Sequence, residues 1–120
     1  MSRPKILIVL EDAYLAGIYG RKFENDQWEV KTAENIKDGE NIVVSFRPDI
    51  AIISADNNNL PNLIQYLKGL PTWQKTKIVV LAKDSERYRI EQALSAGADE
   101  YLLIGHFVPM EVVKKMRKLL

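Results

Sequence analysis

Five short apolar segments recur along the chain at nearly even intervals, with stretches of helical periodicity between them. The first, third and fourth segments are continuous apolar runs, which is typical of strands buried on both faces. Alternation of this kind predicts a parallel sheet with helices on both of its faces and right-handed crossovers. The segments are KILIVL (5–10), WEVKT (28–32), DIAIIS (49–54), KIVVLA (77–82) and EYLLI (100–104).

The intervening stretches predict five helices, because each carries apolar side chains at the spacing of one helical face. Proline and glycine fall where these elements begin or end: Pro48 precedes the third strand, Gly97 follows the fourth helix, and Pro109 lies in the first turn of the fifth. Asp84 or Ser85 is the expected N-cap of the fourth helix. The sequence therefore predicts one α/β domain, 1–120, without a linker.

Charge and composition narrow the classes of partner. The 17 basic and 16 acidic residues nearly cancel, and no basic patch is interleaved with aromatic residues, so we expect no nucleic-acid binding by this domain alone. The chain contains no cysteine, which excludes thiol nucleophiles and disulfides. The opening MSRPKILIVLED resembles neither a signal peptide nor a membrane span. We expect a cytoplasmic protein without membrane contact.

A ligand site in such a sheet is expected outside the carboxyl ends of the strands, where the strand order reverses. For five units in the order 2-1-3-4-5, that crevice lies between the first and third strands. The residues there are Leu10, Glu11 and Asp12 after the first strand, Ser54, Ala55 and Asp56 after the third, and Ala82, Lys83, Ile104 and Gly105 after the fourth and fifth.

Three segments resemble the response-regulator receiver domain, and together they extend over essentially the whole chain. KILIVLEDAYL is similar to that family's first strand and acidic turn, PDIAIIS to its third strand, and ALSAGADEYLL to its fourth helix and fifth strand. The resemblance implies a flavodoxin-like doubly wound sheet of order 2-1-3-4-5 with five helices. It also implies a two-component phosphorelay setting, with a kinase, an effector or a second receiver as partner.

The same resemblance implies a set of reactive positions, and most of them are replaced here. The family's acidic pair falls on Leu10 and Glu11, with Asp12 third. The phosphoacceptor position is Ser54, the hydroxyl position is Ala82 and the lysine position is Ile104. Serine cannot supply an acyl phosphate, alanine cannot hydrogen-bond a phosphoryl oxygen, and isoleucine offers no cation. The sequence therefore predicts a degenerate pseudo-receiver that is not an enzyme and acts by phosphorylation-independent protein–protein interaction.

Several alternatives remain open at this point. Glu11 and Asp12 could weakly hold Mg²⁺, although we expect no cofactor because divalent sites want several convergent oxygens. Asp56 could be a displaced phosphoacceptor, which would make the chain a phosphorylatable regulator. Ser54 could be a nucleophile only with a nearby base, and the single histidine, His106, has no evident acid partner. Leu10, Ala82 and Ile104 could instead form an apolar mouth for a small ligand.

Two further features concern packing and partners. Tyr101 falls on the family's switch aromatic position, where it is either packed in one rotamer or simply half-buried. Trp28 is expected at a strand start and Trp73 in a surface turn. The resemblance implies a partner or dimer face on the fourth helix, fifth strand and fifth helix, and a second copy would pair charges there across a two-fold axis. Its charged residues are Arg87, Arg89, Glu91, Asp99, Glu100, Lys114, Lys115, Arg117 and Lys118.

Overall fold

The computed structural model describes residues 2–83, 86–105 and 108–120, and it contains the predicted five-stranded parallel sheet. The strand order is β2-β1-β3-β4-β5, which confirms the predicted flavodoxin-like topology. The expected cap at Asp84 or Ser85 and the histidine at position 106 lie outside the described residues. The strands are β1 (Lys5–Val9), β2 (Glu29–Ala33), β3 (Ile50–Ser54), β4 (Lys77–Ala82) and β5 (Glu100–Leu103).

Five α-helices connect and follow the strands, as the periodicity predicts. They are α1 (Ala13–Asn25), α2 (Ile36–Phe46), α3 (Leu60–Gly69), α4 (Arg87–Ala96) and α5 (Pro109–Arg117). Side-chain caps fix two of the helix starts: the Asp12 carboxylate accepts the Leu15 N–H at 3.1 Å, and the Asn35 amide oxygen accepts the Asp38 N–H at 2.9 Å. None of the helices in the described ranges has the length and apolar character needed to cross a membrane.

The sheet separates two apolar cores. On one side, α2, α3 and α4 cover a core that includes Val43, Ile64, Leu67 and Ile90. Side chains that alternate along each strand supply both cores: Leu7 and Val9 point to this side, and Ile6 and Ile8 to the other. This two-sided burial explains why the central strands read as continuous apolar runs.

The second core lies beneath α1 and α5, and Trp28, Phe23 and Met116 belong to it. The Trp28 and Phe23 rings meet edge to face with centroids 5.1 Å apart. Trp28 directly precedes β2, as predicted for a strand start.

The prediction for Trp73 is wrong. This side chain is 1% exposed and belongs to the core beneath α2 and α3. The chain between α3 and β4 forms a single 3₁₀ turn, Pro71–Trp73, which directs the indole inward. Turn residues after Gly69 indicate a surface connection, but a large apolar ring is more stable when it is removed from water.

Candidate functional site

The carboxyl ends of the strands meet at one edge of the sheet and open into a crevice of about 560 Å³. The register aligns Val9 with both Ala33 and Ile53, and Ser54 with Leu81. Seven of the ten residues predicted for this crevice line it: Leu10, Glu11, Asp12, Ser54, Asp56, Lys83 and Ile104.

Ala82, like Ala55 and Gly105, is a predicted residue that does not line the crevice. It is fully buried in the core beneath α2, α3 and α4, and its carbonyl accepts the Ile104 N–H at 2.7 Å. The apolar part of the crevice is formed by Leu15 and Leu81 together with Leu10 and Ile104. Two of the three residues expected for an apolar mouth, Leu10 and Ile104, thus line the crevice.

Sequence reasoning missed Glu34, Asn35 and Glu86, which also line the crevice. Glu34 and Asn35 directly follow β2, so the rule that placed the other residues at the carboxyl ends of strands could have found them. Glu86 comes just before α4, and its carboxylate accepts the Lys83 N–H at 3.0 Å.

Ser54 and Asp56 are in direct contact at the end of β3. The Ser54 hydroxyl donates a hydrogen bond to Asp56 Oδ1, and the Asp56 N–H lies 3.3 Å from the same hydroxyl oxygen. The Asn57 side-chain amide donates to the Ser54 carbonyl at 2.8 Å. These bonds close the turn on itself, so each polar group at the predicted acceptor position has a partner within the turn.

The carboxylates of the crevice do not form a divalent-metal site in the described part of the chain. No group of three or more His, Cys, Asp or Glu residues there is arranged to hold a metal ion. The Asp12 carboxylate already caps α1, and the Asp56 carboxylate accepts the Ser54 hydroxyl. Each of these carboxylates therefore has one oxygen engaged within the protein, whereas Mg²⁺ takes near-octahedral oxygen ligands.

Arg89, predicted for the partner face, is half-buried and reaches toward the crevice. Its Nη1 donates to the Ala55 carbonyl at 3.0 Å, so the side chain reaches from α4 to the loop after β3. The hydrogen bond with the Tyr88 hydroxyl chiefly raises the pKa of Arg89, and the charges of Glu86 and Asp56 raise it further. No local signal in the sequence separates Arg89 from its exposed neighbour Arg87, because the carbonyl that it binds is 34 residues away.

Two other charged residues of the predicted partner face are paired within the molecule. Asp99 accepts the Lys68 ammonium at 2.5 Å and the Ile78 N–H at 2.8 Å, which ties it to α3 and the start of β4. Arg117 pairs with Asp26 at 2.6 Å, at the end of α1. Both side chains satisfy internal partners that come from distant parts of the chain, and helical spacing alone does not reveal these.

The remaining partner-face residues are on α4, β5 and α5 as predicted. Tyr101 is half-buried on β5, and the Lys115 ammonium lies 5.5 Å from the centroid of its ring. The side chains of Arg87, Glu91, Lys114 and Lys118 are exposed. This surface is therefore mixed in charge.

The fold and the crevice together define a doubly wound α/β domain, and comparison with known proteins shows what it is similar to. The transcriptional regulatory protein KdpE of the KDP operon of Escherichia coli is 29% identical over 99 residues. That match covers 81% of this chain and 43% of the relative, so the chain spans less than half of that protein's length. No protein-family model matches the chain.

Solved structures with the same fold are also receiver domains or response regulators. A signal receiver domain from Bermanella marisrubri has a TM-score of 0.86 and 24% identity, and the match covers 98% of each chain. An atypical orphan response regulator, described as having a phosphorylation-independent regulatory mechanism, has a TM-score of 0.81 and 16% identity over 95% of this chain and 92% of its own. The chain thus has the receiver-domain fold and resembles response-regulator receiver domains in sequence.

Proposed function

We propose that this chain is a pseudo-receiver, a signalling module that acts by protein–protein interaction without being phosphorylated. The observation that carries this proposal is the Ser54 hydroxyl, which stands at the end of β3 where the family resemblance expects the phosphoacceptor carboxylate, and which is hydrogen-bonded to Asp56. A hydroxyl in this position forms no acyl phosphate and brings no negative charge for a metal ion.

The neighbouring positions support the same function. Ile104 lines the crevice where the resemblance expects a lysine, and Ala82 is buried where it expects a hydroxyl. A phosphoryl group placed there would face the carboxylates of Glu11, Asp12 and Asp56 without the usual lysine. Phosphoryl transfer depends on groups that neutralise the transferred charge, and this arrangement supplies too few of them.

Lys83 lines the crevice and Arg89 binds the carbonyl just after β3, and these two cations favour the alternative in which Asp56 accepts a phosphoryl group. The Arg89 guanidinium is engaged with the Ala55 carbonyl, and the Asp56 carboxylate with the Ser54 hydroxyl. Both would have to leave these partners before they could serve the reaction. The orphan regulator with a phosphorylation-independent mechanism supports the non-phosphorylated function, since it shares this fold.

The proposed partners are cytoplasmic signalling proteins: a kinase, an effector or a second receiver-type domain, including a second copy of this chain. We place the contact on α4, β5 and α5, where Glu91 and Glu100 can face Lys114 and Lys118 of a two-fold partner. Sedimentation velocity tests whether the chain binds a second copy of itself. The double variant Lys114→Glu with Lys118→Glu should weaken self-association, while Lys22→Glu on α1 should not. A monomer at every concentration would leave only different proteins as partners.

The central test treats the chain with acetyl phosphate, or with beryllofluoride, in the presence of Mg²⁺. We expect the amide NMR spectrum to remain unchanged and a phosphate-affinity gel to show a single unshifted band. Saturable shifts at residues 10–12 and 54–56, together with a slower band, would overturn the proposal. Loss of that band in Asp56→Ala would then identify Asp56 as the acceptor.

A further inference from the structure

The structure joins α4 to the crevice through one side chain. Arg89 projects from the first turn of α4, and its Nη1 donates to the Ala55 carbonyl at 3.0 Å. Ala55 itself extends the β3–β4 pairing, because its N–H donates to the Leu81 carbonyl at 2.9 Å. The carbonyl that holds Arg89 therefore belongs to the rigid edge of the sheet.

The apolar attachment of α4 is small, which makes this polar link important for its position. Two of the ten α4 residues, Ile90 and Ala93, are buried. Ile90 directly follows Arg89, so the bond to Ala55 and the first buried contact lie on the same turn. A helix with few buried side chains shifts more easily than one with a broad apolar face.

The surroundings of Arg89 suit a permanent cation. The carboxylates of Glu86 and Asp56 lie near enough for their charge to raise its pKa, although the hydrogen bond with Tyr88 is the larger cause. Glu86 accepts the Lys83 N–H, and Asp56 accepts the Ser54 hydroxyl, so both carboxylates are themselves held in place. The guanidinium thus joins the loop after β3 to α4 and lies within the electrostatic influence of two held carboxylates.

We propose that Arg89 is an internal latch that holds α4 in one position against the end of β3, independently of any group bound in the crevice. This inference rests on the proposed function, because it explains how the partner face on α4 is kept ready without phosphorylation. Arg89 acts here as a positioning residue. With the latch in place, the partner face on α4 has the same position whether or not a group is bound in the crevice.

Amide hydrogen exchange across α4 tests the latch, with the whole chain and no phosphoryl donor present. Arg89→Gln removes the charge and the fork of donors, whereas Arg89→Lys keeps the charge. Arg87→Gln is the matched control, since Arg87 is exposed on the same helix and has no hydrogen bond or ion pair to another described residue.

We expect Arg89→Gln to speed exchange of the α4 amides about tenfold relative to Arg87→Gln and to move the resonances of Ala55 and Asp56, because a hydrogen bond from a charged donor is lost. Arg89→Lys should give an intermediate rate, and it provides the test if the glutamine variant does not fold. Equal exchange in Arg89→Gln and Arg87→Gln would overturn the latch. That outcome is distinct from a phosphorylated wild-type chain, which would instead overturn the proposed function.

Discussion

The contact between Ser54 and Asp56 decides much of the chemistry at the end of β3. A hydroxyl donor and a carboxylate acceptor satisfy each other there, so the turn is stable without an external ligand. Replacing the hydroxyl by a second carboxylate would set two like charges against each other, and such a pair resists simultaneous ionisation.

Restoring the family's carboxylate at this one position is therefore expected to fail as a gain of function. In Ser54→Asp, the crevice still presents Ile104 in place of a lysine. We expect no stable acyl phosphate after treatment with acetyl phosphate and Mg²⁺, as measured by intact mass, and the same result for the uncharged control Ser54→Asn. A covalent phosphoryl adduct on Ser54→Asp would show that the missing cation and hydroxyl are dispensable.

Tyr19 provides a residue-scale prediction about pH. Its side chain is 6% exposed, and burial raises the pKa of its hydroxyl above the ordinary value of 10.0. Because the folded-state pKa is the higher one, its contribution to stability is complete below about pH 10 and is lost as the pH rises through the folded-state pKa. We expect Tyr19→Phe to unfold in urea much like the wild type at neutral pH and to retain more of its stability above pH 10.

The matched control for this prediction is Tyr14→Phe. Tyr14 is 77% exposed, so removing its hydroxyl should leave the pH dependence of unfolding unchanged. If both variants lose stability at high pH in parallel with the wild type, ionisation of the buried tyrosine is not the cause.

At the scale of elements, the end of α5 is attached to α1 and β2 by a compact polar contact. Arg117 Nε donates to the Asp26 carboxylate at 2.6 Å, and Nη2 donates to the Asp26 carbonyl at 2.7 Å. The guanidinium also lies 5.6 Å from the Trp28 ring, whose indole N–H donates to the same carboxylate at 3.2 Å. Three elements therefore meet around one carboxylate.

We expect Arg117→Ala to lower the free energy of unfolding by about 1 kcal/mol, because a charge-assisted contact and a cation–π contact are lost from a partly exposed site. Lys118→Ala, next to it on the exposed surface, should change stability by less than about 0.5 kcal/mol. Urea unfolding followed by circular dichroism measures both. Equal effects in the two variants would show that the Arg117 contact adds nothing specific.

The secondary structure of this protein was predictable from the sequence wherever a local pattern of apolar residues determines it. The recurring apolar segments placed all five strands within about a residue or two of their observed ends, and helical spacing placed the helices. The crevice residues followed from the rule for parallel sheets. Trp73 was misplaced, and the internal partners of Arg89 and Arg117 were not predicted, because distant segments supply these contacts and no local sequence pattern indicates them.

At the scale of the whole molecule, the two cores share every strand. Adjacent residues of β1 point into opposite cores, so neither core can lose its packing while the sheet remains fully formed. The chain carries two tryptophans, and each lies in a different core: Trp73 beneath α2 and α3, and Trp28 beneath α1 and α5. A variant that keeps only one of the two tryptophans therefore reports by fluorescence on one side of the sheet.

We expect the two sides to unfold as one cooperative unit. Trp73→Phe leaves Trp28 as the reporter and removes a buried indole N–H that has no hydrogen-bond partner among the described residues. Trp28→Phe leaves Trp73 and removes the bond to Asp26. In each variant, the urea midpoint from fluorescence should coincide with the midpoint from far-ultraviolet circular dichroism of the same variant. If the two midpoints differ within one variant, one side of the sheet unfolds before the other. The shared strands would then couple the unfolding of the two cores only weakly.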